Sequence, residues 1–240
     1  MSKVSTKANL FDRAMDQLNS TEDRDKLYAK LDEHQRSYYR EIMSAAVVCV
    51  NAPSGTGKSQ TAVLAGLTLL AQGKVSRFVY VRFPDERSLK LGYLPGEQEA
   101  KEFTYMLPLY ESCEECGLQR EAVDELVKSG MMELTTDIGM RGRNLKNVFV
   151  CIDEAQNGGI KDLQLVLTRL HDNSKAVLIG HSGQVDSDIK LISGRTPFEV
   201  YIEHLTKKPW AVKCDLPINY RGKISKWSDE IHKTIQELEQ

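Results

Sequence analysis

Residues 51–60 read Asn-Ala-Pro-Ser-Gly-Thr-Gly-Lys-Ser-Gln, a spacing that suits one chemistry, the cradling of a polyphosphate. Gly55 and Gly57 let the backbone curl so that successive N–H groups point inward, and a helix starting beside Lys58 adds its positive end to that nest. The Lys58 ammonium reaches β and γ oxygens, and the Ser59 hydroxyl is a ligand for Mg²⁺. Pro53, Ser54, Gly55, Thr56, Gly57, Lys58, Ser59 and Gln60 are therefore the candidate nucleotide-binding residues. Ala52 stands where such loops usually begin with glycine, which is tolerable at negative φ.

A second corner follows the apolar run 148–152, where Asp153-Glu154-Ala155-Gln156 offers two adjacent carboxylates. Asp153 at the strand end can hold Mg²⁺ through a water, and Glu154 can orient and deprotonate the water that attacks a γ-phosphate. A third run ends in Gly180-His181-Ser182-Gly183-Gln184. Gln184 is the candidate sensor of the γ-phosphate, because an amide both donates to a phosphate oxygen and accepts from a water. A water-activating acid beside a phosphate loop fits a nucleoside triphosphatase. It fits a kinase poorly, since a kinase must keep water out of the reaction, and no second acidic cluster supports a nuclease.

These corners need a scaffold that brings strand ends together. Short β-rich runs at 47–50, 78–81, 148–152 and 176–179 alternate with helical stretches at 59–71, 97–110, 161–170 and 197–205; a last run, 210–216, precedes an amphipathic tail. Alternation of this kind predicts an α/β fold, a mostly parallel sheet with helices on its faces and ligands at the carboxyl ends of the strands. The expected organisation is a helical N-terminal segment (1–44), an α/β core (45–222) and a C-terminal helix (223–240). With 240 residues, 41% hydrophobic and 28% charged, the chain can bury one sizeable core. Lys and Arg (32) nearly balance Asp and Glu (34), so any contact with a polyanion must be local. No apolar stretch reaches the roughly 20 residues of a membrane helix, and no apolar run follows the charges at the N-terminus, which predicts a cytoplasmic protein with no membrane partner. Five cysteines fit a reducing compartment. Cys113 and Cys116 have metal or redox spacing, yet lack partners to complete four ligands and read as incidental.

The combination of the phosphate loop with Arg82 and Pro84, residues 91–96 (Leu-Gly-Tyr-Leu-Pro-Gly), Met140-Arg141-Gly142-Arg143, Asp153-Glu154-Ala155-Gln156 and Leu167-Thr168-Arg169 resembles the PhoH-like ATPases, relatives of the first RecA-like domain of superfamily 1 helicases. The resemblance covers roughly residues 31–222. It implies a single RecA-like P-loop domain that hydrolyses ATP with Mg²⁺, a homo-oligomeric ring with a hexamer as candidate, and single-stranded RNA or DNA as partner. The alternative is a nucleotide-stabilised structural ring with slow or no hydrolysis. Under the resemblance Gln35, followed by Tyr38 and Tyr39, looks like the helicase Q motif, in which the amide reads adenine and an aromatic lies on the ring. Residues 216–221 look like the motif ending in Asn-Tyr-Arg, which makes Arg221 the first candidate for an arginine finger, delivered between subunits, and Arg143 the second. Arg141, Arg143 and Lys146, or Lys207 and Lys208, are the basic loop residues available to a nucleic-acid backbone. His181 stands where the family usually has Asp, a departure that bears on the rate of hydrolysis rather than on nucleotide binding.

Overall fold

Runs of β-branched and aromatic residues form one parallel sheet in the computed structural model, which describes residues 2–83, 98–185 and 189–238. Its strands are β1 (Val47–Asn51), β2 (Arg77–Arg82), β3 (Met132–Thr136), β4 (Val148–Asp153), β5 (Lys175–Gly180) and β6 (Ala211–Cys214). They lie in the order β3-β2-β4-β5-β1-β6, each neighbouring pair parallel. β4 is buried along its whole length, as expected of a strand covered on both faces.

The two faces carry two cores, and the side-chain period of two sorts residues between them. On one face Val48, Val50, Phe78, Tyr80, Phe149, Cys151, Val177 and Ile179 pack under α1 (Ser2–Asn19), α3 (Glu33–Ser44), α4 (Lys58–Ala71), α5 (Gln98–Glu115) and α6 (Arg120–Lys128). On the other, Cys49, Val79, Val150, Ile152 and Leu178 meet α7 (Ile160–Leu167) and α8 (Pro197–Thr206). The helical N-terminal segment, which also contains α2 (Glu22–Lys30), belongs to the first of these cores through Leu18, Leu31, Tyr38 and Ile42. α4 approaches the sheet closely at Gly66, where a Cβ would lie 2.5 Å from the Phe149 ring.

This is the α/β architecture with a parallel sheet expected from the alternation of runs; helix α6, strand β3 and the tail depart from the expectation. β3 was not among the expected strands, because only Met132 of its five residues is buried and Glu133, Thr135 and Thr136 break the apolar run; it is an edge strand. The tail, expected as one helix, is two: α9 (Lys223–Asp229) and α10 (Ile231–Leu238). No Gly or Pro marks the break; the chain turns at Glu230 (φ −88°, ψ 9°), directly after Asp229, which is tied to the strand-end loops. Ile224, Trp227, Ile231 and Ile235 of this tail are exposed.

All five cysteines are buried free thiols. Burial raises the pKa of Cys113 well above the ordinary thiol value and that of Cys116 to about 12, so both are protonated packing residues. Pro84 and residues 91–96 lie outside the described residues, as does the start of the helix expected at 97–110. No described helix is long and apolar enough to cross a membrane.

Candidate nucleotide-binding site

Three corners meet at the carboxyl end of the sheet, after β1, β4 and β5, with β5 lying between the other two. Ala52 continues the ladder by donating its N–H to Gly180 O (3.1 Å). The phosphate loop then turns through Gly55 (φ +76°) and Gly57 (φ +75°), left-handed positions that glycine occupies without strain, and α4 begins at Lys58. Thr56, almost fully buried, closes the loop by donating to Pro53 O (3.1 Å). Lys58 Nζ donates to the same carbonyl at 3.1 Å. Burial lowers the Lys58 pKa against the pull of Asp153 and Glu154, and Arg221 lowers it further.

Asp153 is 4% exposed and collects three donors. Ser59 Oγ lies 3.3 Å and the Glu154 N–H 3.1 Å from its Oδ1, while Tyr80 donates its phenol to Oδ2 at 2.5 Å. Burial and the carboxylate push the Tyr80 pKa well above its ordinary value, so the phenol keeps its proton and can only orient the acid. Glu154 itself sits at φ +53°, an unusual backbone for a non-glycine residue. Its carboxylate accepts from Gln156 Nε2 (2.6 Å) and lies 3.7 Å from Arg82. Gln156 is buried, and its Oε1 accepts the His181 N–H (3.0 Å), which ties the acidic corner to the loop after β5. That loop is fixed to β1 by a reciprocal pair: Asn51 Nδ2 donates to Ser182 Oγ and the Ser182 N–H to Asn51 Oδ1, each at 3.0 Å.

Gln184 reaches the phosphate loop, its Oε1 accepting from Ser54 Oγ at 3.2 Å. His181 stands with Nδ1 3.5 Å from Asp229 of α9. Burial lowers its pKa below the ordinary 6.5, opposed by Asp229 and reinforced by Lys58. Gln60 extends from the first turn of α4, with its Oε1 beside Gly57.

Gln35 is buried and bridges two elements. Its Oε1 accepts the Asp32 N–H (3.2 Å) in the capping box of α3, and its Nε2 donates to Thr56 O (3.0 Å) in the phosphate loop. Of the two aromatics expected beside it, Tyr38 is fully buried in the core and Tyr39 packs edge-on against Tyr28 with centroids 4.9 Å apart. The α3 periodicity turns Tyr38 inward, away from any base, while half-buried Tyr39 lines a cavity between α2, α3 and α4. The exposed aromatic at this place is Tyr220, whose N–H donates to Gly55 O (2.8 Å) and whose phenol meets the Asp32 carboxylate.

Residues 219–221 lie on the phosphate loop of their own chain. Asn219 Nδ2 donates to Ser54 O (2.9 Å), and the Arg221 N–H to Asn219 Oδ1 (2.8 Å). A Cβ on Gly55 would lie 2.8 Å from the Arg221 side chain, so within one chain this arginine lies beside its own loop. Arg143 is elsewhere: it pairs with Glu133 on edge strand β3, across the sheet from β1. Arg141, Lys146, Lys207 and Lys208 are exposed. Lys146 precedes β4, and Lys207 and Lys208 precede β6, so all three stand at the opposite end of the sheet from the loop.

Tyr80, Gln156 and Asn51 are the members that sequence reading missed. A phenol inside the otherwise non-polar run Phe78–Val81 was the available signal for Tyr80, since a buried hydroxyl needs a partner. A cavity of about 340 Å³ lies away from these corners, between α2, α3 and the C-terminal half of α4. The polar convergence is at the loop, and the chemistry is assigned there. Among the described residues no group of three or more His, Cys, Asp or Glu forms a metal site. One hydroxyl and one carboxylate are hard oxygen donors suited to Mg²⁺ that also carries phosphate and water ligands.

A glycine-rich loop between a parallel strand and a helix, facing an acidic corner two strands away, defines a domain of P-loop NTPase type. More particularly, the chain belongs to the PhoH-like protein family, which matches residues 29–211. The PhoH-like protein of Synechocystis sp. is 36% identical over 152 residues, 63% of this chain and 46% of its own length. That of Mycobacterium leprae is 32% identical over 172 residues, 72% of this chain and 49% of its own. The chain therefore spans about half the length of these curated relatives. A solved structure of the DUF1998 helicase MrfA bound to DNA and AMPPNP matches 79% of this chain and 27% of its own, with 17% identity and a TM-score of 0.47.

Proposed function

We propose that the chain binds ATP with Mg²⁺ and hydrolyses it. The observation that carries this reading is the approach of Ser59 to Asp153, 3.3 Å apart beside the phosphate loop, because a hydroxyl and a carboxylate there serve a metal–polyphosphate complex. Ser59 and Asp153 would hold Mg²⁺, Asp153 through water. The ion, when bound, neutralises charge on the β and γ oxygens.

The chain's own groups divide the remaining work. Loop N–H groups from Ser54 to Ser59 and the Lys58 ammonium bind the phosphates, which requires Lys58 to leave Pro53 O. Glu154, held by Gln156 and near Arg82, accepts a proton from the attacking water. Arg221 serves the γ-phosphate of its own chain's ATP, where a guanidinium contacts two oxygens. Beyond its bonds to Asp32 and Thr56, Gln35 has one amide hydrogen and one lone pair to spare, enough to meet an adenine edge, and Tyr220 offers the neighbouring aromatic face. Single-stranded RNA or DNA and a ring of subunits belong to the same reading, with exposed Arg141, Lys146, Lys207 and Lys208 as the basic residues available. Cytoplasmic location accompanies this reading.

Lys58→Ala tests the assignment. ATP binding should fall sharply while circular dichroism and the unfolding midpoint stay unchanged; wild-type affinity in this variant would overturn the site. Phosphate release with and without single-stranded RNA then tests the enzyme and its partner.

A further inference from the structure

Asp229, the last residue of α9, reaches back from the tail into the strand-end loops. Its carboxylate accepts from Gln184 Nε2 at 3.0 Å, and the same oxygen lies 3.5 Å from His181 Nδ1. The Asp229 side chain is only 12% exposed, so water competes weakly for these contacts. The opposite end of the Gln184 amide, Oε1, accepts from Ser54 of the phosphate loop.

An amide side chain can turn over and exchange its donor and acceptor ends; a carboxylate beside it removes that choice, because an ionised carboxylate only accepts. The backbone of Gln184 is already fixed. It lies in the short 182–184 turn, where its N–H donates to His181 O (2.9 Å), and Asn51 pins Ser182. The orientation of the amide is what remains to be set; Asp229 stands at its Nε2 end, with Ser54 at Oε1 and the His181 ring as a further neighbour.

We propose that Asp229 is a positioning residue that makes Gln184 face the phosphate loop with its carbonyl oxygen. Resting on the ATPase reading above, this gives Gln184 one specific task. Its carbonyl oxygen accepts a hydrogen bond from the attacking water, which replaces Ser54 as the donor when nucleotide is present, and Gln184 does not donate to the γ-phosphate. Helix α9 thereby becomes part of the site, although it lies outside the 29–211 span that matches the family.

A double-mutant cycle in the full chain tests this. ATP affinity, measured with a fluorescent ATP analogue, and kcat are compared in wild type, Asp229→Ala, Gln184→Ala and the double variant. Asp229→Ala should lower kcat about tenfold to a hundredfold, the range for a hydrogen bond to a charged group, with ATP affinity within about twofold of wild type. In the Gln184→Ala background the same substitution should have no further effect, whereas a purely structural role would give additive losses. Asp229→Asn, which retains an acceptor oxygen, should recover part of the rate. The side-chain amide resonances of Gln184, identified by their loss in Gln184→Ala, should show one slowly exchanging, shifted hydrogen in the protein loaded with a non-hydrolysable ATP analogue, and lose it in Asp229→Ala. Additive effects, a rate increase in Asp229→Ala, or amide resonances unaffected by Asp229→Ala would overturn the proposal. If wild type binds ATP without turnover, the amide resonances decide it. Absence of ATP binding in wild type would instead overturn the nucleotide site itself.

Discussion

Ser59 and Asp153 are 94 residues apart in the chain, and their side-chain oxygens are 3.3 Å apart in the fold. One opens a helix and the other closes a strand, so the pair exists only once β4 and β1 stand in the same sheet. Asp153→Asn should therefore remove the Mg²⁺ dependence of ATP binding while sparing metal-free binding. Tyr80→Phe takes one donor from the same carboxylate and should weaken Mg²⁺ affinity by roughly tenfold. Titration of Mg²⁺ into the analogue-bound protein checks both, and an unchanged Mg²⁺ response in Asp153→Asn would remove Asp153 from the metal.

Glu154→Gln keeps the side-chain shape and abolishes the base. Single-turnover hydrolysis should slow by about 10² to 10⁴, with ATP retained on the protein. Wild-type turnover would show that another group activates water.

Gly57 cannot take a side chain without loss. At φ +75° an added Cβ would run into the Gln35 amide, so Gly57→Ala combines left-handed strain of about 1–2 kcal/mol with displacement of Gln35 from the loop. Denaturation should show that destabilisation, and ATP affinity should fall as well. An alanine variant as stable as wild type would mean that the loop relaxes freely.

Arg221 lies on its own chain's loop, and the kinetic consequence is concentration independence. Arg221→Ala should reduce ATPase activity strongly, and mixing it with Glu154→Gln should restore nothing, because no interface reunites the two groups. Recovery of activity in the mixture would place the arginine in a neighbour's site.

Burial, against the attraction of Asp229, holds the His181 pKa below its ordinary 6.5. The folded state thus prefers the neutral ring. Its contribution is complete above about pH 6.5 and is lost as pH falls through the window between that value and the lower folded one. Urea midpoints at about pH 7.5 and about pH 5.5 should show a larger acid loss in wild type than in His181→Gln. Equal losses would mean that His181 titrates alike in both states.

Much of this site could be read from residue types, because a phosphate loop, an acidic strand end and a polar third corner each carry their chemistry in a few adjacent positions. The alternation of runs likewise placed all three at one end of a parallel sheet. What local patterns could not carry were contacts across the sheet and beyond it. Tyr80 is one residue of a strand whose face is fixed only by its pairing with Cys151. Edge strand β3 has half-exposed residues and no apolar run to announce it. Tyr38 and Tyr39 read alike in sequence, and only the packing of α3 buries one completely. Arg221 sits on its own loop through hydrogen bonds from Asn219 and Tyr220 to residues more than 160 positions earlier.

Gln35 completes the cap of α3 with one end of its amide and steadies Thr56 with the other. A perturbation at either end is therefore felt at the other. Fraying of α3 would loosen the loop that is to receive phosphate, and a loop drawn tight around phosphate would protect the first amides of α3 from exchange with solvent. The helical segment ahead of the sheet would thus report on occupancy of the site that Gln35 touches.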